Sequence, residues 1–102
     1  MTAESALVWL CQRPETTDLP CRQLGMLLLV NAAVSFGDKE VGAIGARLGI
    51  NRNASTRAAD ALWRRGWITR VPDKSHKSKV LLEPTAEGRA FAKRFLAELA
   101  RP

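Results

Sequence analysis

Residues 38–66 read DKEVGAIGARLGINRNASTRAADALWRRG, and their punctuation decides the fold. Val41, Ile44 and Leu48 recur at i, i+3 and i+7. That spacing lines one face of a helix, here about 39–48, with Asp38 placed to cap it. Gly49 ends the helix, because a helix C-terminus often needs the left-handed backbone that glycine tolerates. Asn51 caps a further helix over about 52–65, in which Ala54, Ala58, Ala61 and Leu62 face inward, and Gly66 closes it. Two short helices joined by Gly49-Ile50-Asn51 have the signature of a helix-turn-helix, over about 39–65.

Working outward, Trp67-Ile68-Thr69-Arg70-Val71 and Lys79-Val80-Leu81-Leu82-Glu83 are β-prone, and residues 72–78 between them are polar and basic. They predict a β-hairpin, a wing over about 67–83. Pro84-Thr85 opens a last helix, 86–100, with Thr85 as cap, Glu87 complementing the N-terminal dipole, and Phe91, Phe95 and Leu99 along one face. Upstream, residues 3–12 form a short helix ending before Arg13-Pro14. Pro20 suits the first turn of a helix over about 20–35, after Thr17 or Asp18 as cap. Its Leu24, Leu27, Leu28 and Val34, with Met26 and Val30, make a wide apolar face expected at the centre of the core. The chain of 102 residues has room for one domain. The order of elements predicts a mainly α fold with a small β-hairpin (α+β), a winged helix-turn-helix over residues 1–102.

Sixteen Lys and Arg against ten Asp and Glu give a net charge of +6. Residues 37–80 carry ten of those basic side chains against four acidic ones and account for the whole excess. Such a balance points to a polyanionic partner, nucleic acid or an anionic membrane surface. No stretch is long and apolar enough to span a bilayer, and the basic segment offers no broad apolar face for lying on one, so nucleic acid is the expected partner. The N-terminus does not read as a secretory signal, and a cytoplasmic location follows as the expectation. Cys11 and Cys21 stand ten positions apart with no His near them, which builds neither a disulfide framework nor a zinc site. Both are expected to be small buried hydrophobes, although Cys21 near a helix N-terminus also allows a redox role. With one His, no phosphate-cradling glycine loop and scattered carboxylates, the sequence predicts no enzyme, metal or cofactor.

Residues 38–91 closely resemble the MarR family of bacterial transcription regulators. Val41 to Ile50 (VGAIGARLGI) is similar to the family's first motif helix and turn, and Asn51 to Gly66 (NRNASTRAADALWRRG) to its recognition helix. Trp67-Ile68-Thr69-Arg70 fits the first wing strand, and Pro84-Thr85-Ala86-Glu87-Gly88 the family's Leu-Thr-x-x-Gly. The chain departs from the pattern where His76 and Ser78 replace an Asp-x-Arg pair in the wing, which leaves Lys77 or Lys79 to substitute. Ser55 stands where a buried aliphatic residue is usual, and the chain is short for the family.

The resemblance implies a sequence-specific regulator of transcription, a repressor, binding double-stranded DNA in the cytoplasm of a bacterium or phage host. Arg52, Asn53, Thr56 and Arg57 lie on the first turn and a half of the recognition helix, the part that enters the major groove in this motif. Arginine's fork matches the O6/N7 edge of guanine, and asparagine matches adenine. Arg70, Lys74, Lys77 and Lys79 place charge along the wing for phosphates or the minor groove. Lys39 and Arg64 are expected on the DNA backbone, and Ser55 either there or in packing. The terminal helices 3–12 and 86–100 are expected to pair in a C2 homodimer through Leu7, Leu10, Phe91, Phe95 and Leu99, unless those residues are buried within one chain. Trp9 and Trp67 read as core, while Trp63, one position beyond Leu62, has no assigned partner. It supports the alternative reading, a winged-helix protein-interaction module that docks a partner through Trp63 or the wing. No effector is specified by the sequence.

Overall fold

Apolar positions at helical and strand spacing can leave water only by facing one another, and α2 is where they meet. A computed structural model describes residues 3–14, 18–33, 35–72 and 79–100. Its elements are α1 (Ala3–Cys11), α2 (Cys21–Ala32), α3 (Phe36–Lys39), α4 (Val41–Leu48), α5 (Arg52–Arg64), β1 (Ile68–Pro72), β2 (Val80–Pro84) and α6 (Ala86–Ala100). Met26, Leu27 and Val30 of α2 are buried in one cluster with Ile44 of α4, Leu62 of α5, Ile68 of β1, Leu82 of β2 and Phe91 of α6. Each such burial contributes about 1.5–3 kcal/mol. The fold is the expected one, mostly helical with a two-stranded antiparallel hairpin, Ile68 opposite Pro84 and Pro72 opposite Val80.

The helix expected over 39–48 starts two residues late. Ser35 caps the short α3 through the Asp38 N–H (3.2 Å), so Asp38 lies inside a turn and caps nothing. Glu40 is extended and makes an isolated antiparallel bridge to Leu81, on the edge of β2 that β1 leaves open. Its side chain then caps α4, accepting from the Ala43 N–H at 3.0 Å. A carboxylate can satisfy an orphan N–H and the helix dipole together, which is why the start falls at Glu40. Likewise α2 spans 21–32, with Pro20 extended as the residue before it and Ala33 extended after it. Thr17 and Val34 lie outside the described residues.

α6 is tied to the end of α5 by a compact set of contacts. The Thr85 hydroxyl accepts from the Gly88 N–H (3.1 Å) and donates to the Gly66 carbonyl (2.6 Å), and the Thr85 N–H donates to the Trp67 carbonyl (3.1 Å). A Cβ on Gly88 would overlap that same carbonyl, so only glycine fits there. Thr85 therefore caps α6 as expected, and the spacing Thr-x-x-Gly has a steric cause.

Two of the expected dimer contacts are corrected. Phe91 stacks on Trp67 (ring centroids 4.5 Å apart) and lies 5.9 Å from Trp9. Phe91 and Phe95 are both buried within the chain, so neither offers a surface to a second copy. Leu10 is half-buried and packs against the core, and Leu99 is half-buried on α6. Leu7 stays exposed, as do Val8 on α1 and Leu96 on α6. Cys11 and Cys21 are also corrected, because both thiols are free and exposed where buried side chains were expected. Each sits at an end of its helix, away from the apolar faces that form the core.

Candidate nucleic-acid interface

The site is built on the turn between α4 and α5. Gly49 holds a left-handed φ of 72°, which closes α4 with its N–H on the Ala46 and Gly45 carbonyls. The Ile50 N–H donates to the Gly45 carbonyl at 3.0 Å. Asn51 is extended and its side-chain oxygen accepts from the Ala54 N–H at 2.8 Å, starting α5 as the sequence predicts. Close packing of the two helices depends on small side chains. A Cβ on Gly45 would stand 2.7 Å from the Ser55 Cβ, and the Ser55 hydroxyl donates to the Val41 carbonyl at 2.7 Å. Ser55 is fully buried, so the phosphate contact allowed for it is corrected: its hydroxyl is spent within the helix pair.

With Ser55, Ala58, Ala59 and Leu62 turned into the core, Arg52, Asn53, Thr56 and Arg57 are left exposed on the outer side of α5. Arg52 is not independent of its surroundings. Its Nη2 lies 3.1 Å from Glu40 Oε1, although the arginine side chain stays mostly exposed. Burial pushes the Glu40 carboxyl up, but N–H donation from Gly42 and Ala43 and the charge of Arg52 outweigh it. The net result holds Glu40 below the usual glutamate range.

Two further basic residues expected on the DNA backbone are engaged inside the chain. Lys39 Nζ lies 2.7 Å from Glu83 Oε1, tying the start of the helix-turn-helix to β2. Arg70 of β1 forms an ion pair with Asp60 of α5, and its guanidinium sits 4.7 Å from the centre of the Trp63 ring. That contact also resolves Trp63, which remains half-exposed and serves as a platform for Arg70. Arg57, Arg64 and Lys79 are exposed and form no ion pair among the described residues. Lys74 and Lys77, with His76 and Ser78, lie outside the described residues.

Arg47, exposed on the last turn of α4, is a further candidate that the sequence analysis did not include. The signal was available, since the first helix of this motif crosses the phosphate backbone. Glu40 and Asp60 were missed too, because their partners lie on the next element, twelve and ten positions away, where no helical or strand spacing links them.

No family model and no curated protein matches the sequence. Solved structures do match its fold. A MarR-family transcriptional regulator from Rhodococcus sp. RHA1 is 23% identical, with a TM-score of 0.71 over 92% of this chain and 59% of its own. The S. aureus MepR–DNA complex is 17% identical, with a TM-score of 0.78 over 93% of this chain and 73% of its own. Streptococcus pneumoniae FabT in complex with DNA is 20% identical, with a TM-score of 0.72 over 88% and 62%. This chain thus has the MarR-like winged-helix fold, and it spans 59% of the Rhodococcus regulator's length.

Proposed function

We propose that this chain is a sequence-specific DNA-binding regulator of transcription, a repressor acting in the cytoplasm as a homodimer. The observation that carries the reading is the outer face of α5. Asn53, Thr56 and Arg57 are exposed together near its start, while the opposite face is locked into the core. Side chains so placed suit the floor of a major groove, Arg57 for guanine and Asn53 for adenine. Arg47, Arg64 and Lys79 supply charge for the flanking phosphates, with Lys74 and Lys77 following in the wing sequence. Two of the fold's neighbours, MepR and FabT, are bound to DNA, which supports the same use here.

A homodimer presents two copies of α5 to half-sites roughly 34 Å apart, one helical turn of DNA. Leu7 and Val8 of α1 with Leu96 of α6 are the exposed apolar residues of the terminal helices that suit such an interface. The alternative, docking a protein through Trp63 or the wing, loses part of its support, because Trp63 has Arg70 over its ring.

Selection of bound duplexes from a random pool tests the reading. The expected result is an enriched inverted repeat whose enrichment depends on Arg57 and Asn53. Failure to bind any duplex at low salt overturns it, since non-specific dissociation constants of such proteins are about 10⁻⁴–10⁻⁶ M even at physiological salt.

A further inference from the structure

We propose that Arg70 is a positioning residue that fixes the angle of the wing to α5, not a contact to DNA; the role rests on the DNA-binding reading above. β1 leaves α5 through a junction already fixed at its base. The Gly66 N–H donates to the Trp63 carbonyl (2.9 Å) and the Trp67 N–H to the Leu62 carbonyl (3.1 Å). Ile68 in the core and the pairing with β2 hold the strand to the body of the fold, but the pairing does not tie its outer half to α5. Arg70 supplies the second point, three residues or about 10 Å further along the strand.

This second point uses both the charge and the planar face of a guanidinium. Ile68 and Arg70 are two positions apart, so they share a face of β1. Ile68 buries in the core, and Arg70 reaches over α5 on the same side. There Asp60 and Trp63, at i and i+3, stand on one face of the helix as a two-part socket. The carboxylate of Asp60 forms the ion pair, and the indole of Trp63 lies 4.7 Å from the guanidinium carbon. A lysine lacks the planar face that lies on the indole while a nitrogen at its edge pairs with the carboxylate.

The socket also accounts for an acid in an unfavourable place. Asp60 lies on the candidate reading helix, in the basic segment, where a bare carboxylate would repel phosphates. Paired with Arg70 it adds no net charge, and the pair leaves attraction to the other basic residues. A phosphate-contacting Arg70 would have to abandon Asp60 and expose that carboxylate to the DNA.

The two roles predict opposite signs for one variant. Asp60→Asn removes a negative charge and frees Arg70, so a phosphate-contacting arginine predicts equal or tighter binding. Positioning predicts weaker binding by about two- to fivefold, the loss of one ion pair with the Trp63 contact left in place. The assay is fluorescence anisotropy with a labelled random-sequence duplex at low salt, each variant first shown folded by its melting curve. Arg70→Lys, which keeps the charge but not the fork or the face, is expected to weaken binding by a similar factor. The double variant is expected to bind no worse than either single one. Asp60→Asn and Arg70→Lys both binding like the wild type, or tighter, overturns the positioning role. A wild-type chain that does not bind the duplex overturns the DNA-binding reading itself, which is a separate and visible result.

Discussion

Arg52 and Arg57 are five positions apart on α5, and the structure gives them different surroundings. Arg57 forms no ion pair among the described residues, so its fork is available to a base edge. Arg57→Ala is expected to cost about 1–3 kcal/mol at one base pair while leaving affinity for random DNA closer to wild type. A binding series over single-base variants of the selected site measures it, and a uniform loss across all variants would instead assign Arg57 to phosphate. Arg52 must leave Glu40 before it reads a base, and Glu40 in turn holds the start of α4. Because the folded state holds the Glu40 carboxyl below its ordinary value, the group stabilises the fold fully above the unfolded glutamate pKa, about 4.3. That contribution disappears as the pH falls through the depressed folded value. Glu40→Gln is therefore expected to melt lower than wild type at neutral pH, with the gap closing as the pH drops below about 4. A gap that stays constant with pH would show that the charge of Glu40 contributes nothing.

The crossing of α4 and α5 is governed by Gly45 and Ser55, which let the helices approach closely. Gly45→Ala places a methyl against the Ser55 side chain and is expected to destabilise the fold by about 1–3 kcal/mol, read as a lower denaturation midpoint. Ser55→Ala, which strands no buried donor but loses the bond to Val41, is expected to cost about 1 kcal/mol. These elements were largely legible in the sequence because they rest on local signals: Gly49 ends a helix, Asn51 and Thr85 cap helices, and Val41, Ile44 and Leu48 repeat at helical spacing. The misplaced start of α4 came from a competition that local signals do not decide. Asp38 and Glu40 are both able to cap, and it is the bridge from residue 40 to Leu81, forty-one positions away, that selects Glu40. The outer face of α5 was legible, but the inner one only in part: Ala58 and Leu62 are buried as expected, while Ser55 and Ala59 complete the buried face and Ala54 and Ala61 stay half-buried. What the sequence concealed were the ion pairs Lys39–Glu83, Arg52–Glu40 and Arg70–Asp60, where charge alone does not say which basic residue is already engaged. Phe91 and Phe95 show the same limit from the apolar side. A stripe on a terminal helix reads alike whether its own core or a second copy covers it.

For the whole molecule, the remaining apolar surface on the terminal helices is the strongest constraint on assembly. α1 covers α6 with Ala6 and Trp9 turned inward, and Arg13 and Arg94 each lie over the Trp9 ring. Leu7, Val8 and Leu96 are left in water, at a cost a second copy of the chain would remove. An interface of this kind is isologous, so one substitution appears on both sides of the axis and acts twice. Leu7→Gln combined with Leu96→Gln keeps the net charge and touches none of the residues proposed to meet DNA. The variant is expected to sediment as a monomer where the wild type sediments as a dimer. Its affinity for a two-half-site duplex should fall by at least about tenfold, because two tethered reading helices bind as one and separate ones do not. Affinity for a single half-site should stay at the wild-type value. A double variant that still sediments as a dimer would move the interface elsewhere on the surface. One that becomes monomeric yet binds the two-half-site duplex with undiminished affinity would remove dimerisation from the recognition mechanism, leaving one copy of α5 and its wing as the whole reading unit.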